Sequence, residues 1–62
     1  MKKKELIELA KNKAVHELLL AQGNDDTEAA HRDADQTLCD LLETLGFADV
    51  VEQYHRIRKW YA

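Results

Sequence analysis

Apolar residues recur every three to four positions along almost the whole of this 62-residue chain, and its only two glycines, Gly23 and Gly46, divide the pattern into three segments. No proline interrupts any of them. A period near 3.6 residues is that of an α-helix, in which positions i, i+3, i+4 and i+7 share one face. The chain therefore predicts an all-α fold of three helices, a helical hairpin plus a C-terminal helix, in a single domain over residues 1–62. A domain of about 60 residues lies near the lower size limit for a stable core without disulfides, metals or oligomerisation. The surplus of apolar side chains predicts a partner, most simply a second copy in a dimeric helical bundle.

The first helix is expected from about Lys3 to Ala21, ended by the turn Gly23-Asn24-Asp25-Asp26. Ile7, Ala10, Ala14, Leu18 and Ala21 form its central stripe, with Leu6, Leu9 and Leu20 on one flank and Val15 and Leu19 on the other. That arc is wider than the roughly 100° of an ordinary surface helix. Asp26 or Thr27 is suited to cap the second helix, which is expected to run to Leu45. Its stripe is Ala30, Ala34, Thr37, Leu38, Leu41, Leu42 and Leu45, and the spacing from Ala34 through Leu38 and Leu41 to Leu45 alternates by four and three, as in a coiled-coil seam. Gly46 is placed to end it in a left-handed conformation. The third helix is expected from about Ala48 to Tyr61, with Phe47, Val50, Val51, Tyr54, Ile57 and Tyr61 sharing its buried face. On this reading the second and third helices each bury one face in the ordinary way, and the surplus resides in the first.

Charge is unevenly placed. Asp25 to Asp49 holds Asp25, Asp26, Glu28, Asp33, Asp35, Asp40, Glu43 and Asp49 against the single base Arg32, while Lys2, Lys3 and Lys4 stand at one end and Arg56, Arg58 and Lys59 at the other. A net charge of −3 does not mark a nucleic-acid binder. The single cysteine, Cys39, cannot form an internal disulfide. The basic start is not followed by an apolar region, because Glu5, Glu8, Lys11 and Lys13 interrupt it, and no stretch reaches the length of a membrane span. A cytoplasmic protein without membrane association is expected.

No constellation points to catalysis. His31 and Asp35 lie four residues apart and so share a helical face; as a local pair they steady the helix, and two such groups do not make a zinc site. Cys39 has no base or oxyanion-stabilising turn tied to it by spacing, and reads as a small, partly buried side chain. No cofactor or metal is expected, nor enzymatic activity. The segment from Tyr54 to Tyr61 is basic and aromatic; Arg56, Arg58, Lys59 and Trp60 are its candidates for binding a partner, since arginine and lysine contact phosphates and an off-stripe tryptophan anchors interfaces. The competing reading is a charged helix end whose tyrosines complete the core. A helix-turn-helix around Leu42 and Gly46 fails, because positions that should be apolar in a recognition helix fall on Glu52 and His55.

The stretch from His31 to Ala62 carries His31-Arg32-Asp33-Ala34-Asp35, then Leu38, Leu41 and Leu42, then Leu45-Gly46-Phe47, Asp49-Val50-Val51 and Lys59-Trp60-Tyr61-Ala62. This pattern resembles small, all-helical accessory proteins from the early region of lambdoid phages and prophages, between the recombination and excision genes. The resemblance covers half the chain and rests on helix-packing residues. It implies an accessory role, biasing the host cell cycle or the lytic–lysogenic course by binding host factors. It assigns no task to His31, Asp35, Trp60 or Tyr61, and departs in no catalytic residue because there is none to carry over.

The expected function is thus a non-enzymatic phage regulatory protein acting on a host protein as a homodimer. Helix one and the seam of helix two would supply the interface, through Leu9, Leu19, Leu20 and Leu42. The alternative is a nucleic-acid-binding accessory protein that uses Arg56, Arg58, Lys59 and Trp60.

Overall fold

The computed structural model describes residues 2–57. Among them are three helices and no strand: α1 (Lys3–Gln22), α2 (Thr27–Thr44) and α3 (Ala48–His55). The starts and stops follow local chemistry. Gly23 N–H donates to the Leu20 carbonyl and Asn24 N–H to that of Ala21, both at 3.1 Å, which closes α1. Asn24 Oδ1 then accepts from Asp26 N–H at 2.9 Å, and Asp26 Oδ1 accepts from Ala29 N–H at 3.2 Å. Asp26 is the N-cap of α2, filling a donor that the helix itself leaves unpaired.

Gly46 has φ 94°, the left-handed region expected of it. Phe47 N–H reaches back to the Leu42 carbonyl at 2.9 Å and Gly46 N–H to that of Glu43 at 3.0 Å. These two bonds make a Schellman motif, which ends α2 and turns the chain toward α3. α3 is shorter than its apolar period suggests and ends at His55, not Tyr61. Arg56 N–H bonds to Gln53 and Ile57 N–H to Tyr54, so the backbone there tightens to the i to i−3 pattern that closes helices. Residues 58–61 lie outside the described residues.

α1 and α2 pack antiparallel: Ala10 lies near Leu41 and Thr44 at one end, and Ala21 near Ala30 at the other. Ala14 is buried at the centre, where alanine permits close approach. α3 packs on the other side of α2 through Val51, only 2% exposed. α1 and α3 make no contact among the described residues.

The result is one layer of helices. The Cα extents are 38 × 28 × 8 Å. Helix axes pack roughly 8–10 Å apart and each Cα cylinder is about 4.6 Å across, so a second layer would need at least about 12 Å. The radius of gyration is 12.9 Å, against about 10–11 Å for a compact domain of this length. Accessible surface is 5211 Å², where a compact 7.2 kDa chain exposes about 4,100 Å². Ala14, Cys39 and Val51 are the fully buried apolar side chains among the described residues, with Thr37 the buried polar one.

Candidate functional site

A single layer has two faces, and helical geometry makes them unlike. At 100° per residue, Ile7, Leu18, Val15 and Leu19 turn to one side of α1, while Leu6, Lys13, Leu20 and Leu9 turn to the other. On α2, Ala34, Leu38 and Leu45 project to one side and Asp33, Gln36, Asp40 and Glu43 to the opposite side. Two grooves between these helices fix the correspondence. One is lined by Leu18, Ala21 and Gln22 with Ala30, His31 and Ala34. The other joins Glu17, Leu20 and Ala21 to Asp33, Gln36 and Thr37. Leu38 also lines a cleft with Tyr54, which puts the apolar flank of α3 on the first side.

The first face is therefore apolar across α2 and α3 and mixed on α1, where the same geometry sets Lys4, Glu8 and Lys11 among the apolar residues. It carries Val15 and Leu19 from α1, Leu38 from α2, and Phe47, Val50, Tyr54 and Ile57 from the α3 region. All are exposed, Leu38 by 48% and Ile57 by 63%. The expectation that α3 buries its stripe is corrected here: Val51 is buried, but Phe47, Val50 and Ile57 are open. Among the described residues no further element lies over them. The opposite face is polar, with Gln36 donating to Asp40 at 2.8 Å and Arg56 paired to Glu52 at 3.2 Å.

Between α2 and α3 lies a cleft of about 190 Å³ lined by Asp35, Leu38, Cys39, Leu42, Val51 and Tyr54. It is smaller than the roughly 300–1,000 Å³ of small-molecule sites. A side-chain hydrogen bond to Asp35 holds the Tyr54 phenol pKa above its ordinary value, aided by desolvation and by the charges of Asp35 and Cys39. Asp35 thus links α2 to α3. His31, one turn earlier, lines the groove toward α1 instead. Their four-residue spacing puts them one turn apart on α2, His31 at the groove toward α1 and Asp35 at the cleft toward α3.

The four interface candidates from the sequence are not brought together. Leu19 lies on the apolar face, Leu9 and Leu20 on the far flank of α1, and Leu42 is half-buried in the α2–α3 cleft. Arg56 is exposed and engaged with Glu52; Arg58, Lys59 and Trp60 lie outside the described residues. Among the described residues, no group of three or more His, Cys, Asp or Glu side chains is placed to hold a metal, and no helix is long and apolar enough to cross a membrane.

One polar contact had no sequence signal. The buried Thr37 hydroxyl donates to Glu17 Oε2 at 3.0 Å across α1 and α2. Thr37 read only as a stripe member, and no local spacing tied it to Glu17. No protein-family model matches the chain, and no characterised protein or solved structure is significantly similar to it.

Proposed function

We propose that this chain is a small, non-enzymatic regulatory protein that acts through protein–protein contact, as a homodimer. The observation that carries the reading is the set of exposed apolar side chains on one side of a single helical layer whose own core is small. Domains of packed helices bury such faces between two layers, and exposed apolar patches spanning several elements mark interaction surfaces. The resemblance of residues 31–62 to lambdoid-phage accessory proteins supplies the proposed setting: a host factor as target, in the host cytoplasm.

Solution mass measured at low and high salt tests the dimer. Association through apolar helix faces changes little with salt, so a dimer that persists at both supports the reading. A stable monomer at micromolar concentration sinks it. Binding of DNA or RNA that weakens steeply with salt would move the function to nucleic acid.

A further inference from the structure

We infer that the second copy docks on one defined face of the layer, that of Leu38, Val50, Phe47, Tyr54, Ile57 and Leu19, rather than along the leucines that flank α1 on both sides. The inference rests on the homodimer reading and specifies its site. Area is the first argument. The chain exposes about 1,100 Å² more than a compact chain of its mass. Two chains that each cover that excess bury about 2,200 Å², within the range of obligate homodimers. The excess thus matches in size the surface that one partner of equal mass would cover.

Charge is the second argument. A two-fold interface brings a patch against itself, so each contact is made twice and only residues on the axis meet their own copies. On α2 and α3 this face holds no lysine, arginine or glutamate. Its carboxylate at the cleft, Asp35, is hydrogen-bonded to Tyr54. On α1 the face also carries Lys4, Glu8 and Lys11, of which Glu8 and Lys11 pair within the helix at 3.4 Å. On the opposite face α2 presents Asp33, Asp40 and Glu43, and a two-fold contact there would bring two such acidic rows toward one another, which disfavours association. Leu6, Leu9 and Leu20 share that polar side and stay outside the dimer. Stacking through the apolar face converts two single layers into a two-layer bundle of six helices.

Sedimentation equilibrium on the full chain tests this with four alanine variants. Leu38→Ala and Val50→Ala should each weaken dimerisation at least about ten-fold, because each truncation acts twice in a symmetric interface. Leu6→Ala and Leu20→Ala should leave the dimer within about two-fold of wild type. Helical circular dichroism above the dissociation constant shows that each variant folds. Val50→Thr, nearly the same shape, replaces any alanine variant that does not, and should weaken the dimer in the same direction. A wild-type monomer overturns the homodimer reading itself. A wild-type dimer that is weakened by Leu6→Ala or Leu20→Ala, but unmoved at Leu38 and Val50, overturns this docking face alone.

Discussion

The Thr37 hydroxyl donates to the Glu17 carboxylate at 3.0 Å, twenty residues away in sequence and across the seam of α1 and α2. Glu17 also forms an ion pair with Lys13 Nζ, at 3.8 Å on the exposed side. Thr37 is buried, so its hydroxyl depends on this partner, whereas the carboxylate keeps access to water. Thr37→Val should therefore destabilise the fold by about 1 kcal/mol, the usual net worth of such a bond. Urea denaturation checks this, and a double-mutant cycle with Glu17→Gln isolates the pair. Additive effects of the two substitutions would show that the bond contributes nothing.

Asp26 caps α2 with its side chain. Asp26→Ala should lower stability by about 1 kcal/mol, and Asp26→Ser should recover most of the loss, since serine caps nearly as well. Thermal unfolding compares them. Equal melting temperatures for all three proteins would remove the cap from the account of α2.

The two glycines should respond oppositely to alanine. A Cβ at Gly46 would meet nothing within 4 Å, yet φ there is +94°. The cost of Gly46→Ala is then backbone strain alone, about 1–2 kcal/mol. Gly23 has φ −88° and its nearest added contact is the Leu20 carbonyl at 3.6 Å. Gly23→Ala should stabilise by roughly 0.4–1 kcal/mol, because it restricts the unfolded chain. Chemical denaturation measures both, and a loss of stability at Gly23 would contradict the geometry assigned to that turn.

Tyr54 links the stability of α3 docking to pH. Its phenol pKa is raised by the hydrogen bond to Asp35, so the neutral form is the one the fold favours. The contribution is fully present below the ordinary tyrosine pKa of about 10 and is lost as pH rises through the folded value. In a Tyr61→Phe background, tyrosinate absorbance should titrate above the ordinary value, and Asp35→Asn should bring it down. An unchanged titration in Asp35→Asn would exclude that bond as the cause.

Cys39 reports on the same seam. It is 4% exposed and lines the cleft with Val51. Thiol reagents should modify it slowly in the native protein. Val51→Ala, which removes about 2 kcal/mol of packing, should accelerate the reaction more than a comparable truncation in α1. Equal acceleration by Ala14→Gly would mean that the thiol opens only with the whole chain.

Much of the local structure was legible in residue order. The Gly23 turn, the Asp26 cap and the left-handed Gly46 each follow from a residue's own conformational preference. The end of α3 did not, because the apolar period of Tyr54 and Ile57 continues past the point at which backbone bonding tightens. Nor did the thinness of the layer. Periodicity shows that Phe47, Val50 and Ile57 share a face, but whether anything covers that face depends on where three helix axes lie. Leu9, Leu19 and Leu20 read together as surplus, although α1 points Leu19 away from the other two. The pairing of Thr37 with Glu17 needs the register between two helices, which no local pattern carries.

Among the described residues α1 and α3 touch only α2 and not each other, so the helices interact as a chain of neighbours. Stability in such an array is a sum of adjacent couplings rather than one shared core. The weaker α2–α3 coupling, resting on Val51 and the Asp35–Tyr54 bond, can then open while the α1–α2 hairpin stays closed. Hydrogen exchange would register two rungs of protection within 56 residues. A second copy seated over both couplings would fuse those rungs into one transition, so that assembly and cooperativity arrive together.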